Sequence, residues 1–322
     1  MAHETPPSVY EEIQDVINSD EPAISRLWEW CNPFMASLEY GRTAATIMLA
    51  SGPDRNGIRG RCHVLLVGAE GTGKSEILDW IAEHKENAYA SGPSDSEAGL
   101  KGNFAHNPPQ PGALQLAHEG VLCVEELDKF NRGDRDALYE AMGKGHYTVN
   151  KGDVRNQQYD ASVRVIAAAN DKSQFRDAFL DRFDFVVDVT QYDAAETEDV
   201  TLTLLENFSR GYVDDEPIDS ANKLIHYLKY LSALSTPSLP DDEKKRIAEQ
   251  YRKLIHDEGR TGNIRQKESY MRVAYVLAKL DNEDITVERF NQAIALIHGD
   301  SSPLTSLLLS ADTDAESDTP ES

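Results

Sequence analysis

The chain runs to 322 residues, enough for one large or two modest domains around a buried core. Its 56 acids against 32 lysines and arginines give a formal net charge of −24, which argues against a surface that holds nucleic acid by bulk positive charge. No apolar stretch approaches the ~18 residues of a membrane span, and the first residues lack the basic-then-apolar order of a secretory signal, so no membrane partner and a cytoplasmic location are expected.

Residues 1–20 read as a flexible acidic arm, or as a short helix from Tyr10 to Ile17. Ala23 to Ala50 reads as helix with a break near Cys31-Asn32-Pro33, and Ser51 to Gly57 as loop. The apolar run Val64 to Val67 is a buried strand. It feeds Gly68-Ala69-Glu70-Gly71-Thr72-Gly73-Lys74-Ser75 and then a helix from Glu76 to about Glu83, the setting of a phosphate-binding loop. Glycines there let backbone N–H groups curl around a phosphate, and the helix N-terminus adds its dipole. Lys74 supplies a point charge for the β- and γ-phosphates, and the Ser75 hydroxyl is suited to Mg²⁺. The predicted cofactor-binding set is Gly68, Glu70, Gly71, Thr72, Gly73, Lys74, Ser75 and Glu76.

Residues 91–112 read as loop and Ala113 to His118 as a short helical piece. A second buried strand, Val121 to Val124, ends in Glu125-Glu126. Two acids at the carboxyl edge of a buried strand, beside a phosphate loop, suit one carboxylate for Mg²⁺ (Glu125) and one for the attacking water (Glu126). Asp134 to Met142 reads as a helix capped by Asp134. Tyr147 to Val149 and Arg155 to Tyr159 flank Asn150-Lys151-Gly152-Asp153 as a β-hairpin. A third strand, Val163 to Ala169, ends at Asn170, whose amide suits positioning of water. A fourth, Phe183 to Val189, follows Arg182. In a ring-forming ATPase an arginine at that place reaches the neighbour's γ-phosphate. Strands without alternation, separated by helices, predict an α/β fold: a parallel sheet between helical layers, of the P-loop NTPase class. Helices are then expected at 194–209, 219–234, 241–257, 265–280 and 287–298. The predicted division is an ATPase core over 21–212, a helical lid over 213–299 and a disordered acidic tail over 300–322.

Cys31, Cys62 and Cys123 are scattered and odd in number, so no disulfide framework is expected. Cys62-His63 has no companion ligand nearby and reads as ordinary strand-edge sequence. The negative charge has two readings: an acidic protein with partners that avoid acid, or adaptation to molar salt, where the Debye length falls to ~3 Å. Acids spread along the whole chain favour the second, a halophilic and haloarchaeal origin.

Taken in order, these stretches resemble the AAA+ motor domain of the minichromosome maintenance (MCM) replicative helicases over roughly residues 22–299. Ile58 to Val67 is similar to the strand before the family's phosphate loop, and Ser91 to Ser94 with Ala98-Gly99-Leu100 to the segment after the first helix. Gly112-Ala113-Leu114 and Gly120 to Phe130 resemble its Walker B stretch. Asp134 to Met142 and Val149 to Gly152 resemble its helix and pre-sensor hairpin. Ala167 to Asn170 resembles sensor 1, Asp181 to Asp184 the arginine finger, and Ile264 to Ser269 with Ala278-Lys279-Leu280 the sensor 2 helix.

The resemblance implies ATP and Mg²⁺ as cofactors, a hexameric ring of identical subunits, DNA as substrate and a replication protein as partner. It implies that Lys74, Glu126 and Asn170 act within the subunit, while Arg182 and Arg265 act on the neighbour's nucleotide. It further implies that Lys151 touches DNA, with Lys144, Arg155 and Lys101 as neighbours. The sequence departs from the family at Glu125 (usually Asp), at Gly73 (usually Ala) and in the short 101–111 stretch. About sixty residues precede the phosphate loop, so the family's long DNA-gripping amino-terminal region and its winged-helix carboxyl end are not expected here. Two functions are expected in competition: a DNA motor, helicase or translocase, and an assembly switch or loader that remodels a protein without unwinding DNA.

Overall fold

The computed structural model describes residues 7–33, 35, 37–54, 57–92, 97–103, 110–151, 154–189, 201–202, 205, 222–234, 236–257 and 264–299. The elements in order are α1 (Pro7–Ile17), α2 (Ile24–Leu27), α3 (Glu39–Ala50), β1 (His63–Gly68), α4 (Lys74–His84), β2 (Ala88–Ser91), α5 (Glu97–Lys101), β3 (Gly102–Asn103), β4 (Gln110–Pro111), α6 (Ala113–Leu116), β5 (Val121–Val124), α7 (Arg132–Lys144), β6 (His146–Lys151), β7 (Val154–Asp160), β8 (Arg164–Ala169), α8 (Asp177–Leu180) and β9 (Phe185–Val189). Then come α9 (Lys223–Ser232), α10 (Asp241–Asp257), α11 (Ile264–Leu280) and α12 (Val287–His298).

The central sheet is parallel throughout, in the order β2-β5-β8-β1-β9. Successive strand residues point to opposite faces, and both faces are covered. Val64, Leu66, Ile166 and Ala168 join one buried cluster with α3, α4 and the carboxyl-terminal helices α11 and α12. Leu65, Val67, Val165 and Ala167 join the other, with α7 and the β6–β7 hairpin. That two-sided burial is why these strands read as unbroken apolar runs. The order also fixes the site: β8 lies between β5 and β1, so the residues that follow it stand between the phosphate loop and the acid pair.

Several boundaries differ from expectation for physical reasons. Of the two readings of residues 1–20 the helix is the one found, as α1, and it starts three residues earlier than expected: Val9, Ile13 and Val16, spaced along one helical face, are buried in the main core. Each such side chain stabilises the fold by about 1.5–3 kcal/mol. Glu12 meets Lys223 of α9 on the flank of that contact. The break after Ala23 is wider than Cys31–Pro33. A 3₁₀ turn over Trp28–Trp30 follows α2, and α3 starts only at Glu39 after Leu38 in a left-handed conformation (φ 60°). The cap of α7 is Asn131, whose side chain accepts from the Asp134 amide at 3.1 Å, not Asp134. Edge strand β2 was not expected, because Ala-Tyr-Ala-Ser with an exposed Tyr89 carries no apolar run.

The expected helix at 194–209 lies outside the described residues except at 201–202 and 205, as does the expected tail at 300–322. Among the described residues no helix is long and apolar enough to cross a membrane.

Candidate functional site

The cradle forms where β1 turns into α4. Gly68 admits no side chain: a Cβ there would stand 2.1 Å from the Val189 carbonyl oxygen of β9. Gly73 caps α4 in the left-handed region (φ 84°), which turns the amides of the loop inward. Thr72 Oγ1 donates to the Ala69 carbonyl at 2.9 Å and ties the loop to itself. Lys74 folds its ammonium onto the loop, donating to the carbonyls of Gly68 (2.7 Å) and Ala69 (2.6 Å) and to Thr72 Oγ1 (3.2 Å). Burial holds its pKa below the ordinary lysine value, with Glu125, Asp128 and Glu70 pulling the other way. Glu70, Gly71 and Glu76 line the same cavity of about 270 Å³, which Glu125, Glu126 and Asn170 close from the neighbouring strands.

Ser75 Oγ donates to Glu125 Oε2 at 2.9 Å, so the predicted hydroxyl and carboxylate already meet. The second oxygen, Oε1, is buried with no hydrogen-bond partner. Burial is the largest influence raising the Glu125 carboxyl above its usual range, and Asp79 and Glu126 add to it against Ser75 and Lys74. A buried carboxylate with an idle oxygen beside a hydroxyl fits a hydrated Mg²⁺. Among the described residues no group of three His, Cys, Asp or Glu could hold a metal unaided, so such an ion would need phosphate oxygens as well. Glu126 sits in the left-handed region (φ 49°), an uncommon backbone for Glu of the kind stored at functional sites. Its carboxylate is engaged by Lys129. Asn170 is held through its backbone amide by Asp128 Oδ1 at 3.2 Å.

Arg182 and Arg265 lie elsewhere. The Asp184 amide bonds to the His63 carbonyl at the start of β1, so the Arg182 loop belongs to the amino edge of the sheet. Six residues of β1, about 17 Å, separate it from the phosphate loop. The two guanidiniums come together there: both act on the Tyr139 hydroxyl of α7 and lower its pKa, Arg182 more than Arg265. Arg182 also stacks on the Tyr139 ring at 4.4 Å, and its Nε is buried without a partner. Arg265 stands 3.9 Å from Asp181. A second cavity, of about 530 Å³, opens beside this pair and Lys144.

The family description "MCM P-loop domain" matches residues 10–205, well over half of the sequence. This chain belongs to the MCM family. It is 28% identical over 289 residues to the DNA replication licensing factor MCM5 of Arabidopsis thaliana, covering 77% of this chain and 40% of the plant protein. It is 28% identical to Drosophila melanogaster Mcm5 (79% and 40%) and 26% identical to Anopheles gambiae Mcm6 (88% and 38%). The chain thus spans about two fifths of the length of these relatives.

In this MCM chain Lys151 closes strand β6, paired with Val154; its side chain and that of Arg155 lie outside the described residues. Lys144 is paired with Glu140 at 3.1 Å. Cys62 and His63 are fully buried, and burial pushes the Cys62 thiol up to about 12. His63 Nδ1 accepts from the Val165 amide, which leaves Nε2 to donate to the Met142 carbonyl, so the ring is a structural bridge. Sequence reasoning missed Tyr139, Asp128 and Asp184. Asp184 lay within a quoted motif, but nothing local marks it as buried.

Proposed function

We propose that this MCM chain is an ATP hydrolase acting as a DNA motor in replication. Its sites form between identical subunits of a ring, a hexamer, and the motor domain comprises a core over 21–212 and a lid over 213–299. One observation carries the reading: the phosphate cradle and the guanidinium pair occupy opposite edges of one sheet, so one chain cannot bring them together. Head-to-tail packing would, and such heterologous contacts form a ring when the rotation from subunit to subunit closes.

MgATP supplies the scissile anhydride and an ion that neutralises developing charge. In the proposed mechanism the loop amides and Lys74 hold phosphate oxygens. Ser75 Oγ and Glu125 would hold Mg²⁺, which would neutralise charge on the phosphates; the Glu125 carboxylate carries the same charge as the Asp usual in the family, one methylene further out. Glu126 leaves Lys129 and takes the proton of the attacking water, which Asn170 orients. Arg182 and Arg265 of the neighbour turn from Tyr139 to the phosphate. The idle Glu125 oxygen supports the Mg²⁺ assignment and the idle Arg182 Nε the shared site, since each is buried without a hydrogen-bond partner in this chain. DNA contact is assigned to Lys151 at the hairpin, and a replication protein is the further partner. The charge of −24 supports adaptation to molar salt, in which surface acids are screened.

The test is phosphate release in molar KCl with and without single-stranded DNA. Stimulation that disappears in Lys151→Ala is expected; turnover indifferent to DNA would replace the motor with a protein-remodelling switch. Sedimentation with Mg-nucleotide reads the ring directly, and full turnover by a strict monomer would end the shared-site assignment.

A further inference from the structure

We infer that Asp184 is a positioning residue that sets the spacing of Arg182 and Arg265 by locking the lid helix to the arginine loop; this rests on the shared-site reading above. The Asp184 side chain is fully buried. Its Oδ1 accepts from Arg59 Nη2 (3.1 Å), from Ser269 Oγ (2.6 Å) and from Arg272 Nη1. Its Oδ2 accepts from Arg59 Nη2 (3.1 Å) and from the His63 amide (2.8 Å). An ionised carboxylate offers only acceptors, so every donor around it is matched.

These donors come from the loop before β1, from β1 and from α11, and the bonds continue outward to the Arg182 loop, tying it to the helix that carries Arg265. Arg59 Nη1 donates to the Arg182 carbonyl at 2.9 Å, and Arg272 Nε donates to the Arg59 carbonyl at 2.9 Å. Arg265 lies one turn before Ser269 on α11, so the lid's anchor and its guanidinium share a helix face. Asp184 itself touches neither guanidinium tip; those meet on Tyr139. The carboxylate therefore holds the carriers of the two charges and not the charges.

Buried ion pairs are weak evidence for stability, because apolar packing does as well. What directional bonds from a single acceptor do add is one arrangement of lid and loop. Asp184→Asn puts an NH₂ against N–H donors and removes the charge that compensates Arg59 and Arg272, letting both arginines drift. Misplacement of about 1 Å costs about 10²-fold in rate.

The experiment mixes full-length variants in molar KCl and measures phosphate release. Lys74→Ala lacks the cradle, and Arg182→Ala lacks the donated arginine. Their equimolar mixture should recover about a quarter of wild-type turnover, the random share of junctions that join an intact loop to intact arginines. Failure of that control overturns the shared-site reading itself. Given the control, Asp184→Asn alone should lose about 10²-fold in kcat with KM for ATP little changed. It should recover with Lys74→Ala and not with Arg182→Ala. Recovery with Arg182→Ala, or with neither variant, overturns the inference. Should Asp184→Asn not fold, Ser269→Ala, which spares the ion pairs, takes its place. It belongs to the same complementation group with a smaller loss in kcat, and turnover equal to wild type overturns the inference.

Discussion

At the carboxyl edge of the sheet every candidate group stands at the end of a strand or just after it: Gly68 to Ser75 from the last residue of β1 onward, Glu125 and Glu126 after β5, Asn170 after β8. At the amino edge Arg182 and Arg265 come from a loop and from helix α11, which Asp184 joins through partners 85 and 88 residues away. The first edge is assembled by the backbone geometry of adjacent strands, and it tolerates little change in shape. The second is assembled by side-chain bonds to one buried acid, and it depends on how two subregions dock. On the proposed function, binding of nucleotide and its turnover are therefore separable.

The largest expected effect breaks turnover at the amino edge alone. Arg182→Ala should cost about 10³–10⁵ in phosphate release while leaving the dissociation constant for MgADP within a few-fold. Equal loss of both would mean the edges do not divide the work. Next is a change at the carboxyl edge. Gly68→Ala places a Cβ 2.1 Å from the Val189 carbonyl oxygen, whereas Gly52→Ala meets nothing within 4 Å. Denaturant midpoints should show the first destabilised by about 1–3 kcal/mol and the second nearly neutral.

A pH titration sharpens the comparison further. Since burial raises the Glu125 pKa in the folded chain, the folded state binds that proton more tightly than the unfolded one. Its contribution to stability is thus present at low pH and is lost as pH rises from the ordinary glutamate value through the raised one. Mg²⁺ binding needs the ionised form and moves oppositely. Apparent Mg²⁺ affinity should weaken on acidification at a higher pH than an ordinary glutamate would give, and Glu125→Gln should abolish the pH step. The smallest effect concerns Lys129, exposed and paired with Glu126. Lys129→Ala should leave Tm unchanged and raise turnover by up to about threefold, because Glu126 no longer has a cation to leave. A fall in turnover would assign Lys129 a part in the site.

Much of the carboxyl edge was legible because its signals are contiguous: an apolar run, then the residues that do chemistry. The boundaries of α10 and α12 were legible for the same reason, being periodic and well delimited. A helix from Tyr10 to Ile17 was one of two readings of the first residues, and α1 bears it out; its burial was obscured by the acids that interrupt Val9, Ile13 and Val16 and could be decided only by the groove it fills. The cap of α7 was placed three residues late, since Asn131 and Asp134 are both capping types and only the backbone angles choose between them.

The sequence by itself determined the phosphate loop, the acids after β5, Asn170 after β8 and the parallel sheet that presents them. A strand's period and the turn chemistry after it act over a few residues, so they can be read from a few residues. Only the tertiary structure decided that Arg182 and Arg265 converge on Tyr139, and that Asp184 ties the lid to the loop. Those contacts join segments far apart in the chain, and a buried charge is matched by whichever donors the packed fold brings to it.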